Sequence, residues 1–69
     1  MTNHVYKSIE LTGSSSTSVE DAVHTAVAKA SKTIKNMDWL EVIQTRAEIE
    51  NGKVAYWQVT LKIGFRIED

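Results

Sequence analysis

The side chains of this chain that could do chemistry are suited to binding rather than to catalysis. The chain contains no cysteine, which excludes a thiolate metal site, and His4 and His24 are too far apart to give a zinc-ligand spacing. It also lacks a glycine-rich phosphate loop, a nucleophile elbow and a histidine–carboxylate constellation. We therefore predict no catalytic residue, no metal site and no enzyme activity.

What remains is a set of aromatic, amide and arginine side chains. They are Trp39, Gln44, Arg46, Tyr56, Gln58 and Arg66. An indole offers a large flat surface for stacking, a carboxamide presents a donor beside an acceptor, and a guanidinium is a planar fork of donors. A surface of this kind is suited to burial against copies of itself, with polar pockets left between the copies.

The element that must position these groups is a long strand near the end of the chain. From Lys53 to Ile67, apolar residues at odd positions alternate with mostly polar residues at even positions. This period of two predicts a strand with one apolar and one polar face, about 50 Å long if straight. A chain of 69 residues without disulfides has no room to support such a strand alone, so we expect stability to come from oligomerisation or a ligand.

The rest of the chain predicts two more strands and a helix. Residues 5–12 read as a strand, residues 13–17 as a polar loop, and Ser18 as the N-cap of a helix. An apolar stripe predicts a helix of about five turns. The stripe is Val19, Ala22, Val23, Ala26, Val27, Ala30, Ile34 and Met37, and Lys29, Lys32 and Lys35 lie opposite. Residues 40–50 read as the second strand, with the hairpin turn at Asn51–Gly52.

The predicted fold class is α+β: a β-α-β-β chain whose three-stranded antiparallel sheet curls around one helix, in a single domain over residues 1–69. Placing Ile43, Ala47 and Ile49 on the helix side with the odd positions of the last strand requires a three-residue loop or a bulge beside Gly52. A second bulge, near Val42–Ile43, would turn Leu40 and Val42 inward. All six binding-type side chains named above then project away from the helix.

Composition excludes other classes of partner. Eight basic and nine acidic residues give a net charge of −1, unlike the basic footprint of a nucleic-acid-binding protein. No apolar run reaches the roughly 18 residues that span a bilayer, and the first residues lack the features of a secretory signal. We expect a cytoplasmic protein that binds neither nucleic acid nor membrane.

Four stretches of the chain resemble the dodecin family. They are Val5–Glu10, Met37–Val42, Tyr56–Thr60 and Ile63–Asp69, and the likeness extends over essentially the whole length and the β-α-β-β order. The most specific part is a tryptophan after the helix, Trp39, followed in the long strand by a glutamine, Gln58. The resemblance implies a hollow homododecamer of 23 symmetry with six pockets, each holding two flavin rings stacked between tryptophans of neighbouring subunits.

Carried over by position, the resemblance implies that Trp39 stacks on the flavin and that Gln58 hydrogen-bonds its ring edge. It implies that Arg46 lies near the flavin and Arg66 near a subunit junction. The implied cofactor is FMN, or riboflavin or FAD. Coenzyme A is a possible second ligand, with His4 at the matching position.

Three functions are compatible with these expectations. The first is flavin storage and buffering, with quenching of the flavin excited state. The second is a flavoenzyme subunit, which a ring stacked on both faces disfavours because no face is left for a substrate. The third is a structural shell or coenzyme A carrier in which flavin is incidental.

Overall fold

The computed structural model describes residues 3–67, which form three strands and one helix. In chain order these are β1 (Tyr6–Ser15), α1 (Val19–Ala30), β2 (Met37–Glu50) and β3 (Lys53–Arg66). β3 lies in the centre of an antiparallel sheet of order β1-β3-β2. The predicted α+β fold is therefore confirmed; Met1, Thr2, Glu68 and Asp69, including the end of the Ile63–Asp69 motif, lie outside the described residues.

The core lies between α1 and the α1-facing side of β3, here called the inner face of the sheet. Alternate residues of β3 and one alanine stripe of α1 form it: Val59, Leu61, Ile63, Ala22, Ala26 and Ala30. The small alanine side chains let the sheet approach the helix closely, as the sequence predicts. Gly13 on β1 completes the contact, because a Cβ there would overlap the carbonyl oxygen of Ala22 and lie 2.9 Å from the Cβ of Ala26.

The predicted start of the helix is confirmed, and its predicted end is wrong. Ser18 caps α1 by accepting a hydrogen bond from the Asp21 N–H at 3.0 Å. The helix then stops after three turns at Ala30 and does not continue to Met37. The Ser31 hydroxyl donates to the Ala28 carbonyl at 2.7 Å, and Asn36 turns the chain with φ of 65°. Serine hydroxyls compete with helical backbone bonds, and a positive φ cannot continue a helix.

This early end moves several residues out of the helix. Ile34 and Met37 still pack against the core, but from the turn and from the first residue of β2. Lys32 and Lys35 lie beyond α1 and do not extend the lysine face that includes Lys29. The apolar spacing alone could not distinguish a continuous helix from a helix followed by a compact turn.

β1 and β2 are longer than the sequence pattern indicates, whereas β3 ends at Arg66, one residue before the predicted end. β1 continues through Gly13 to Ser15, where a polar loop is predicted, because β3 offers backbone partners as far as Trp57. The Ser15 hydroxyl is buried there and donates to the Asp21 carboxylate at 2.7 Å, which fixes the strand end to the helix start. β2 begins at Met37 and not at Leu40.

The hairpin register follows the prediction in part. Asn51 and Gly52, both at positive φ, form a two-residue turn between Glu50 and Lys53, where a longer loop or an adjacent bulge is expected. The irregularity lies farther along, where Ala55 has no partner on β2, and beyond it Ala47 pairs with Trp57 as predicted. Ile49 pairs with Val54 and, two residues along β2 from Ala47, lies on the inner face as predicted.

The predicted bulge near Val42–Ile43 is confirmed. Val42 pairs with Leu61 and Gln44 with Thr60, so Ile43 is the extra residue. A further register shift between Met37 and Trp39 leaves Asp38 unpaired. Leu40 and Val42 consequently share the inner face with Ile63 and Leu61, as expected from the sequence.

We predict that Gly13→Ala destabilises the protein by about 2–3 kcal/mol, the scale of overpacking a tight contact. The added methyl group would strike the α1 backbone, which cannot move aside as a flexible side chain would. Urea denaturation at one fixed protein concentration measures the change, with Ser14→Ala at the exposed neighbouring position as the control. Equal stability of the two variants would show that β1 and α1 do not touch in this way.

Candidate functional site

The six predicted binding side chains lie on the face of the sheet away from α1, here called the outer face. Trp39 pairs with Gly64, Gln44 with Thr60, Arg46 with Gln58, and Glu48 with Tyr56, while Arg66 pairs with Tyr6 on β1. Residues directly opposite each other on neighbouring strands project to the same side, and from Tyr56 onward the even positions of β3 point away from the buried core. The sequence-based assignment of this face is confirmed.

The structure does not bring these side chains together. Trp39 lies beside Gly64, and Gly64 is six residues from Gln58 along β3. At about 3.3 Å per residue this separates backbone positions 64 and 58 by roughly 20 Å along one strand. Trp39 and Gln58 of one protomer therefore belong to different regions of the outer face.

The outer face therefore carries two separate groups of side chains. The first, here called the indole end, consists of Trp39, Gly64 and Arg66. The second, here called the amide–arginine cluster, consists of Gln44, Arg46 and Gln58. Between them lies a hydrogen-bonded pair of hydroxyls, Thr12 and Thr60, whose Oγ1 atoms are 2.9 Å apart.

At the indole end, Trp39 rests on the backbone of Gly64. A Cβ at residue 64 would clash with the Cε2, Cζ2 and Cδ2 atoms of the indole. Only glycine therefore leaves room for the ring at this position. Trp39 nevertheless remains 43% exposed. One part of the indole is supported by the strand while another is available for stacking, which a residue in the core could not offer.

The amide–arginine cluster is held by two hydrogen bonds. Arg46 donates from Nε to Gln58 Oε1 at 2.8 Å and from Nη1 to Gln44 Oε1 at 3.0 Å. Arg46 and Gln58 are direct cross-strand partners, whereas Gln44 lies two residues from Arg46 along β2. Both amide oxygens thus face the guanidinium, and the cluster presents mainly N–H donors to a ligand.

Two parts of this site escape the sequence-based reading. Gly64 is not among the predicted site residues, although a glycine inside a regular strand pattern signals close approach by another group. Gln44 is predicted to lie on this face, but its bond to Arg46 depends on the Val42–Ile43 bulge, whose exact pairing a pattern does not give.

Beside the indole end, on the α1 side, lies an open apolar groove of about 340 Å³. It is lined by Val27, Met37, Asp38, Trp39, Leu40 and Ile63. Farther along β2, Val42 on the inner face and the unpaired Ile43 are each 47% exposed. α1 packs on β1 and β3, which leaves this part of the apolar face uncovered in a single protomer.

Other kinds of site find no support in residues 3–67. That part of the chain contains no group of three or more histidine, cysteine or acidic side chains placed to hold a metal ion. Within the same residues, no helix is both long and apolar enough to cross a bilayer.

The chain is a small β-α-β-β domain whose outer face carries an exposed indole and a separate amide–arginine cluster. Residues 5–68 match the family model for dodecin. A curated dodecin from Thermus thermophilus is 43% identical over 65 residues, which cover 94% of each chain. The chain belongs to the dodecin family.

Solved dodecin structures superpose closely on this chain. The dodecin of Streptomyces coelicolor is 51% identical with a TM-score of 0.94, covering 100% of this chain and 99% of that one. The dodecin of Streptomyces davaonensis is 38% identical with a TM-score of 0.93, covering 99% and 100%. These relatives therefore share the fold described above.

We predict that Gly64→Ala displaces the Trp39 indole from the outer face, because the new methyl group would occupy the position of the ring. The emission maximum of Trp39 should shift, measured in a Trp57→Phe background so that one tryptophan reports. Ser8→Ala is the control, because Ser8 is the partner of Gly64 on β1, the strand on the opposite edge from Trp39. An unchanged spectrum for Gly64→Ala would place the indole elsewhere.

Proposed function

We propose that this protein binds and stores flavin as a homododecamer of 23 symmetry in the cytoplasm, without catalysing a reaction on it. FMN is the expected ligand, with riboflavin or FAD as alternatives of the same ring chemistry. Two rings would stack between Trp39 side chains of symmetry-related subunits, and each ring edge would meet Gln58. The observation that carries the proposal is that the indole end and the amide–arginine cluster are separate on one face, with backbone positions 64 and 58 roughly 20 Å apart along β3.

A two-fold axis could bring the indole end of one copy and the amide–arginine cluster of another together in one closed pocket. In an isologous pair of copies, each residue i contacts residue j of the other copy, and j contacts i. If the outer faces of two protomers meet with their strands in opposite directions, the indole end of one lies against the amide–arginine cluster of the other. Two half-sites that are too far apart in one protomer then make two equivalent complete sites.

The shape of the protomer supports assembly. The chain measures 54 × 20 × 14 Å and its radius of gyration is 14.5 Å, against about 11 Å for a compact domain of this length. It exposes 5210 Å² of surface, roughly 20% more than the 4,300 Å² or so expected of a compact 7.7 kDa monomer. The excess includes the inner face of β2, whose apolar side chains another copy could bury.

The chemistry of the half-sites fits an isoalloxazine. The ring is flat and electron-poor, so an indole is a favourable stacking partner, worth about 0.5–1.5 kcal/mol beyond area burial. One ring edge carries two carbonyl groups flanking an imide N–H, which the adjacent donor and acceptor of a carboxamide can match. Close contact with an indole would also allow electron transfer that quenches the flavin excited state. Storage and protection from photochemistry follow from the same contact.

We predict that Trp39→Ala lowers flavin affinity at least about tenfold and abolishes quenching, because stacking and its apolar burial are lost. Titration of riboflavin fluorescence against the assembled oligomer measures both. The matched control is Trp57→Phe, since Trp57 pairs with Ala47 on the inner face and should not contact the ring. Wild-type protein that leaves riboflavin fluorescence unchanged at micromolar concentration would contradict the proposed function.

We also predict that Val42→Glu prevents assembly. Val42 is half exposed on the inner face of β2, and a carboxylate there could not be buried against another copy without a large desolvation cost. Ala28→Glu adds the same charge at an exposed position of α1 and is the control. Analytical ultracentrifugation should give twelve chains for the wild type and the control, and a smaller species for Val42→Glu.

Mass spectrometry of the ligands that co-purify with the oligomer distinguishes flavin storage from a coenzyme A carrier. Flavin bound in amounts close to one per chain supports storage. Coenzyme A bound without flavin would instead favour the carrier function, for which exposed His4, edge-on to Tyr6 with ring centroids 6.4 Å apart, is the candidate contact.

A further inference from the structure

We propose that Arg46 is a positioning residue that fixes the orientation of the Gln58 carboxamide, so that the Gln58 NH2 group faces the ligand. This inference rests on the proposed flavin-binding function and assigns Arg46 a role other than contact with a flavin phosphate. The observation behind it is the pair of hydrogen bonds from one guanidinium to two amide oxygens, 2.8 Å to Gln58 and 3.0 Å to Gln44.

The chemistry of the guanidinium decides which way each amide is turned. Arginine carries five N–H donors and no acceptor, so a carboxamide in contact with it must present its oxygen. With Oε1 of Gln58 held by Arg46 Nε, the two Nε2–H donors of Gln58 lie on the other side of the amide group. The same reasoning applies to Gln44. Arg46 thereby sets two amides in one orientation.

The position of the three residues makes this arrangement stiff. Arg46 and Gln58 lie directly opposite each other on adjacent strands, so the backbone ladder fixes the distance between their Cα atoms. A planar fork that bonds two groups at once loses less freedom per bond than a lysine ammonium would. Without Arg46, the half-buried Gln58 amide could rotate between two orientations, one of which offers the ligand the wrong atom.

The N–H donors of Arg46-oriented Gln58 and Gln44 favour one kind of ligand edge. They complement an edge that carries carbonyl oxygens, as one edge of the isoalloxazine does. The remaining lone pair of Gln58 Oε1 can still accept one N–H from the same edge. Recognition is therefore directed at the ring, which riboflavin and FMN share, and not at the phosphate, which FMN alone carries.

The test is a double-mutant cycle read with both ligands on the assembled oligomer. Arg46→Met should lower the affinity for riboflavin and for FMN by the same factor. We expect about fivefold to tenfold, the range for one lost or misaligned hydrogen bond. In a Gln58→Leu background, the same Arg46→Met change should alter riboflavin affinity less than twofold, because the amide through which Arg46 acts is gone. Arg46→Lys keeps the positive charge but not the planar set of guanidinium N–H donors. This variant should therefore still bind both ligands less tightly than the wild type.

Three results would overturn the inference. A loss confined to FMN would make Arg46 a phosphate contact, and full recovery by Arg46→Lys would make it a source of charge alone. Equal effects of Arg46→Met with and without Gln58 would show that it does not act through the amide.

A measurement without ligand separates this inference from the proposed function. A neutron crystal structure of ligand-free Arg46→Met, in which deuterium marks the NH2 group, should show the Gln58 amide in both orientations, whereas the wild type should show one. If the wild type binds no flavin, the proposed function fails while this result still decides whether Arg46 orients Gln58. A single, unchanged Gln58 conformation in the variant would refute the positioning role.

Discussion

The structure depends on a mismatch between one long strand and the short helix that covers it. β3 has 14 residues and reaches about 46 Å, whereas the 12 residues of α1 reach about 18 Å. α1 can bury the middle of β3 and the adjoining part of β1, where Val59, Leu61 and Ile63 are 0–2% exposed. The ends of the sheet and most of β2 remain without a covering layer. Apolar side chains on the uncovered part favour association because burying them releases water.

Several local features serve this central contact. Gly13 and the alanines of α1 remove side-chain volume where helix and sheet meet, so the two backbones approach closely. Ser15, at the end of β1, donates a hydrogen bond to the Asp21 carboxylate in the first turn of α1. Ser18 accepts one from the Asp21 N–H and so caps the helix. The positive φ of Asn36 reverses the chain after the helix, which lets β2 begin at Met37. The helix is thus fixed at both ends, and the sheet is free to extend beyond it.

The outer face uses the length of the sheet in a different way. A compact domain would gather its ligand-binding residues in one cleft. Here the length of β3 separates an indole supported by Gly64 from two amides oriented by Arg46. Each group is rigid because it is carried by paired strands, and neither group is a pocket alone. On the proposed function, ligand binding depends on association, because each complete site would take side chains from two copies.

The periodic features could be predicted from the amino-acid order alone, because they follow from covalent geometry within one segment. The alternation of β3 assigned Gln58 and Arg66 to the outer face, and Ser18 and Asn51–Gly52 marked the helix start and the hairpin. Parity alone located the bulge near Val42–Ile43. The tertiary structure decided the end of α1 at Ala30, the distance from Trp39 to Gln58 and the bond from Arg46 to Gln58. The distance and the bond depend on the register between β2 and β3, which shifts at each of the unpaired residues Asp38, Ile43 and Ala55. A register is a property of two strands together and cannot be read from either strand alone.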